Sequence, residues 1–156
     1  MTINNNVTNL SVADIGVSAS TTCIASRVRR MSRIITRIYD DALRQFGITA
    51  SQFTLLTIVA QRDGVTAVEI GFEIDIEKST LSRNLQRLVV LGLVDMDPPA
   101  GRRGRGLHLT PAGEEAVKIA YPVWNATQER IKSIVGSDLG TQVDSLLGSV
   151  EKLAAA

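Results

Sequence analysis

Cysteine, histidine and aromatic side chains are all scarce in this chain, and each scarcity removes a class of function. One cysteine, Cys23, leaves no partner for an internal disulfide and no basis for a zinc site built on several thiolates. One histidine, His108, argues against a His-based metal site or a catalytic triad. Aromatic residues make up 4% of the chain, too few for a platform that stacks single-stranded bases. No apolar run reaches the ~18 residues of a membrane span. The N-terminal MTINNNVTNLSVADIG lacks the basic and apolar stretches of a secretion signal, so a cytoplasmic chain without a membrane partner is expected. Gly-rich phosphate loops, nucleophile elbows and metal-ligand spacings are missing. The carboxylates are scattered, with no pair poised for acid–base work. The sequence gives no reason to expect an enzyme, a metal or a cofactor.

A large charge of either sign is also lacking. Seventeen Lys and Arg against sixteen Asp and Glu leave a net charge of +1, so any nucleic-acid role has to come from local clustering. What remains is an ordinary globular composition, 44% hydrophobic and 21% charged over 156 residues. That is about one domain by length, able to bury roughly 70% of its unfolded surface.

The Asn-, Ser- and Thr-rich stretch up to residue 21 reads as an N-terminal arm, flexible or packed on a partner subunit. From about Thr22 to Phe46, Ile24, Val28, Met31, Ile35, Ile38, Ala42 and Phe46 recur at steps of three and four, which predicts a long helix stopped by Gly47. Thr49 and Gln52 form a capping box, with Ile48 and Phe53 as the hydrophobic staple, for a helix running to about Arg62. The same grammar repeats with Thr66, Glu69, Val65 and Ile70 for a short helix ending near Phe72 to Glu73. A third helix runs from about Lys78 to Leu91, with Leu81, Leu85 and Leu88 buried and Gly92 as its stop. Glu77 is a weak cap for it, and Asp75 is an alternative that would shift its start. Two strands follow, Leu93 to Asp97 and Leu107 to Leu109, joined by a Pro-, Gly- and Arg-rich tip. Thr110-Pro111 opens a helix to about Val135 in which Pro122 predicts a kink or local break. Ser137 is placed to cap a last helix reaching about Leu153.

The outer face of the third helix carries Lys78, Ser79, Thr80, Ser82, Arg83, Asn84 and Arg87, all hydrogen-bond donors and none a carboxylate. A B-DNA major groove admits one helix, and Arg and Asn can address guanine and adenine edges bidentately. The hairpin tip adds Arg102, Arg103 and Arg105 among glycines, a slender cationic finger suited to a narrow minor groove. From Lys78 to Arg105 the only acids are Asp95 and Asp97, a local surplus of four positive charges. Helix, short helix, donor-rich helix and basic hairpin together outline a winged helix-turn-helix: a mainly α fold with a small β-hairpin wing. His108, on the second strand, reads as structural or as a phosphate contact.

Three segments resemble the MarR family of transcriptional regulators: TRIYDDALRQFGITASQFTLL, EKSTLSRNLQRLVVLGLVD, and RRGRGLHLTPAGEEA followed by YPVWNATQERI. They fall in the family's order and span about residues 22–137. The resemblance implies a winged domain over 49–110 and a helical dimerisation region over 22–48 and 111–156. It also implies a homodimer on a pseudo-palindromic DNA operator, usually acting as a repressor relieved by a small aromatic or phenolic acid. Symmetry gives an independent reason for the dimer, since one helix contacts few base pairs and two set ~34 Å apart read a palindrome. This sequence departs from the family at Gly101, where an acid often precedes the wing arginines, and at Phe72 to Ile76, where a small Gly-containing turn is usual.

Candidate effector contacts are Arg33, from an arginine-rich stretch that also holds Arg27, Arg29, Arg30 and Arg37, together with Phe53 and Trp124. The bland alternative for the arginines is pairing with Asp40 and Asp41. Two other functions compete with the ligand-responsive regulator. One is redox sensing through Cys23, its thiolate helped by Arg27. The other is nonspecific architectural binding or protein contact by a winged domain.

Overall fold

The computed structural model describes residues 10–98 and 104–154; the arginines expected at the tip, Arg102 and Arg103, lie outside these. The chain divides into two compact units, one ending at Arg37 and the other beginning at Ile38.

The first unit holds helix α1 (Val12–Thr22) and most of α2 (Ile24–Leu43). The segment read as an arm therefore contains a helix. Its start is a complete capping box: Ser11 Oγ accepts the Asp14 N–H at 3.1 Å, and the Asp14 carboxylate accepts the Ser11 N–H at 3.2 Å. No residue of α1 is buried, and α2 buries only Leu43 at its far end. Val12, Ile15, Val17, Ile24, Val28, Met31 and Ile34 are exposed.

The second unit carries the core. A 3-10 turn at Arg44–Phe46 closes on Gly47, whose φ of 71° is the left-handed conformation that glycine adopts without strain. Helix α3 (Ala50–Gln61) begins at the expected Thr49–Gln52 box and α4 (Ala67–Glu73) at the Thr66–Glu69 box, both formed reciprocally. The staple residues Ile48 and Phe53 are each 3% exposed. Helix α5 (Lys78–Val90) packs Leu81, Leu85 and Leu88 inward. Glu77 is its cap after all, accepting the Thr80 N–H at 3.0 Å, while Asp75 adopts a positive φ of 45° in the preceding turn. Asp75 is thus spent on reversing the chain, a left-handed position that Asp tolerates better than most residues.

Three strands make the sheet, not two. Strand β1 (Val65–Thr66) joins β2 (Val94–Met96) and β3 (Gly106–Leu109) in the antiparallel order β1-β3-β2. Val65 pairs with Leu107, and Asp95 pairs with His108. Val65, Leu107 and Val94 turn inward to meet Leu55, Leu56, Val59, Ile70 and Leu88.

Helix α6 (Pro111–Val135) starts from Thr110, whose hydroxyl accepts the Gly113 N–H at 3.0 Å and donates to the Gly92 carbonyl at 2.6 Å. Of the kink or local break expected at Pro122, the break does not occur, since α6 is helical over all 25 residues. Proline removes only the bond to the Lys118 carbonyl, and both residues lie on an exposed face that water reaches. Helix α7 (Leu139–Ala154) starts after Asp138, whose carboxylate takes the Gln142 amide; Ser137 stands one residue too early to cap it. None of α7 is buried, and Leu146, Leu147, Val150 and Leu153 are exposed.

Candidate nucleic-acid interface

Burying leucines at steps of four and three residues along α5 turns the opposite face outward. Lys78, Ser79, Ser82, Arg83 and Arg87 are exposed, and Thr80 and Asn84 are half-buried. Local hydrogen bonds fix several of them. The Arg83 guanidinium donates to the Ser79 carbonyl and to Ser79 Oγ, both at 3.2 Å. The Asn84 amide donates to the Thr80 carbonyl at 3.0 Å, leaving its own carbonyl oxygen free to accept. At the N-terminal end the Glu77 carboxylate takes the Ser79 hydroxyl and the Thr80 N–H. Those hydrogen bonds, Ser79 first, hold its carboxyl below the usual carboxylate range. Among the described residues, no ion pair engages Lys78, Arg83, Arg87 or Arg105, so their charges are open to an outside anion.

Only the base of the wing is described, and Arg105 is its cation. Its guanidinium donates to the Asp97 carbonyl and, at 3.4 Å, to the Met96 carbonyl. Neutral carbonyls hold the side chain without neutralising it. His108 is not a free phosphate contact, because carboxylates occupy both ring nitrogens: Nδ1 lies 2.7 Å from Asp63 and Nε2 3.1 Å from Asp97. This cluster escaped sequence reading, since Asp63 lies 45 residues away in the chain.

Two of the effector candidates, Phe53 and Trp124, pack against each other. Phe53 is 3% exposed and its ring centroid lies 5.9 Å from that of Trp124, which also stacks on Tyr39 at 6.2 Å and on Tyr121 at 5.9 Å. The Tyr39 hydroxyl donates to Gln128, and burial pushes the phenol pKa up. These rings pack on one another, with Phe53 buried, Tyr39 and Trp124 half-buried and Tyr121 exposed. Arg33 stands exposed in the first unit. The acids proposed as partners for the arginine stretch are engaged elsewhere: Asp40 accepts the Ala50 N–H at 2.8 Å, and Asp41 pairs with Arg44.

A cleft of about 690 Å³ opens between α4 and α5 and reaches β2. Ala67, Val68 and Phe72 line one side, Leu81, Leu85 and Met96 the floor. Lys78, Ser82 and Gln86 stand along its rim at four-residue steps on one face of α5. Cys23 is half-buried at the joint between α1 and α2. The Arg27 guanidinium turns to the Thr21 carbonyl, so it does not serve the thiol as expected.

Comparison with known proteins agrees with this architecture. The sequence pattern of the MarR family matches residues 46–104. The crystal structure of the transcriptional regulator MosR from M. tuberculosis superposes with a TM-score of 0.76 at 30% identity, covering 86% of this chain and 99% of that one. MosR in complex with DNA superposes at a TM-score of 0.73, again at 30% identity, over 84% of this chain and 98% of that one. A putative transcriptional regulatory protein for the hcr operon of Thauera aromatica is 26% identical over 122 residues, 72% of this chain and 71% of that protein.

Proposed function

The chain belongs to the MarR family of winged-helix transcriptional regulators, and from that premise we propose that it is a dimeric, sequence-specific DNA-binding repressor released by a small aromatic or phenolic acid. The observation that carries the reading is the outer face of α5. It offers Lys78, Ser79, Thr80, Ser82, Arg83, Asn84 and Arg87, and among the described residues none of its cations is in an ion pair, nor is Arg105 at the base of the wing. The DNA complex of MosR supports a duplex as the partner. Arg102 and Arg103, at the tip, are assigned to the DNA backbone or minor groove on their chemistry alone.

A second copy of the chain is the partner that the unburied apolar faces call for. Exposed Ile24, Val28, Met31 and Ile34 on α2, and exposed Leu146, Leu147, Val150 and Leu153 on α7, are more apolar surface than a monomer ordinarily leaves in water. For the effector, the α4–α5 cleft replaces the Phe53–Trp124 pair. Its volume suits a drug-sized ligand, its walls suit a ring, and the Lys78 ammonium suits a carboxylate or phenolate. Because Lys78 and Ser82 belong to both the cleft and the DNA-facing set, an occupant there competes with DNA. That is the sense of release from repression.

The test is selection of preferred duplexes from a random pool, with binding stoichiometry measured in the same buffer. An enriched palindrome bound by two chains is the expected result. Salt-sensitive binding to any duplex, without enrichment and below a specificity ratio of about 10³, would favour a nonspecific architectural protein instead.

A further inference from the structure

We propose that His108 is a positioning residue for the wing, a cation that ties Asp63 to Asp97, and that loss of its proton sets the upper pH limit of DNA binding. The second half rests on the DNA-binding reading above; the first does not.

Both imidazole nitrogens face carboxylate oxygens, Nδ1 on Asp63 at 2.7 Å and Nε2 on Asp97 at 3.1 Å. A neutral imidazole has a single N–H, so one of these contacts would set a lone pair against an anion. Only the imidazolium satisfies both. The three residues span the sheet: Asp63 sits in the turn before β1, His108 on β3, and Asp97 at the end of β2 where the chain leaves for the tip. Gly106 makes the arrangement possible. A Cβ there would overlap Asp97 Oδ2, and would stand 3.3 Å from Asp97 Cγ and 3.2 Å from the Gly64 carbonyl oxygen.

Among the described residues, the surrounding charges do not replace the imidazolium. Asp95 pairs with His108 across the ladder and adds a third carboxylate on the same face of the sheet. Arg105 is turned to the carbonyls of Asp97 and Met96. From α6, Glu114 and Lys118 pair with each other at 3.5 Å beside a small hollow they share with Asp63, and Arg62 is paired with Glu73. Deprotonation would therefore release one carboxylate and leave the base of the wing with one more uncompensated negative charge, close to where phosphates must come.

The hydrogen bond to Asp63, then the Asp63 and Asp97 charges, hold the His108 pKa above the ordinary histidine value, with partial desolvation opposing them. A raised value in the folded protein means that the tie is complete below the ordinary pKa of about 6.5 and is lost as pH rises through the higher one. DNA binding should weaken over that same window.

As the sole histidine, His108 gives a single set of ring-proton resonances, so its titration can be followed by NMR in the full chain without DNA. A value above the ordinary one, falling in Asp63→Asn and in Asp97→Asn, is expected. An ordinary value indifferent to both substitutions would overturn the tie. DNA affinity measured from pH 5.5 to 8.5 should drop about fivefold per wing, the scale of an exposed ion pair. His108→Gln should bind at the weak, high-pH level throughout. His108→Arg, a permanent cation, should keep the strong level at high pH, which a merely space-filling histidine would not predict. A flat profile in the native protein would overturn the pH limit. Binding to no duplex at any pH would remove it together with the functional reading, while the NMR titration would still decide the tie.

Discussion

Replacing Gly113 by alanine should unfold the joint between α6 and the turn that follows α5. An ideal Cβ at this buried position overlaps the Leu93 carbonyl oxygen outright, sits 3.0 Å from the carbonyl carbon and 3.3 Å from Leu109 Cδ2. The obstacle is backbone, not the end of a flexible side chain, so the helix must lift. Lifting strains the Thr110 N–H bond to the same Leu93 carbonyl, now 3.2 Å long. Overpacking costs about 1–3 kcal/mol and a lost hydrogen bond about 1 kcal/mol, for a total of about 2–4 kcal/mol. In a protein of this size that lowers Tm by roughly 4–16 °C. Gly148→Ala supplies the control of opposite sign. A Cβ there meets nothing within 4 Å, and the 3.6-residue period places it away from the apolar stripe of Val143 and Val150. It should stabilise by about 0.5–1 kcal/mol through helix propensity and reduced unfolded-state entropy. Thermal unfolding of both variants at one protein concentration decides the matter, the concentration being fixed because association adds to stability. A Gly113→Ala variant melting within a degree of the native protein would refute the packing argument.

Three other outcomes are expected. Arg83→Ala should cost about 1–3 kcal/mol of operator affinity and relax sequence preference at one base position, measured by competition among operator variants; unchanged specificity would remove Arg83 from base reading. Val68→Trp fills the α4–α5 cleft from a residue outside the DNA-facing set, so aromatic acids should lose their effect while operator binding persists. Persistent release by those acids would place the effector elsewhere. Val150→Asp puts a charge on an apolar position 61% exposed in the protomer, so sedimentation should show folded monomers in place of dimers; unaltered dimers would exclude α7 from the interface.

Much of the fold was legible because its punctuation is local. Thr49 with Gln52, and Thr66 with Glu69, announce their helices within four residues, and the structure builds both boxes. Ser11 and Asp14 carry the same signal for α1, where it stands alone. The helix buries nothing, so no apolar stripe followed the cap to strengthen it. Strand β1 was missed for a different reason: two residues show no periodicity, and its partner β3 lies some forty residues downstream. The chemistry of the α5 face was readable from residue types alone. The His108 cluster was not, since its members come from three separate segments that only the sheet brings together. Phe53 and Trp124 were recognisable as anchors, but that they pack on each other is a fact of tertiary structure.

Helix α6 has a mechanical consequence. It is an unbroken rod of 25 residues, about 37 Å long, clamped at its beginning by the Thr110 bonds to Gly92 and Gly113. Its far end carries exposed Ile134 and Val135. A rod of that length acts as a lever arm: a tilt of about 5° at one end displaces the other by about 3 Å, close to one base-pair step. In the proposed dimer, a joint near Val135 would turn small changes in its angle into changes in the distance between two wings. Substitutions at Ile134 or Val135 should then alter which operator spacing is preferred before they alter how tightly any single half-site is held.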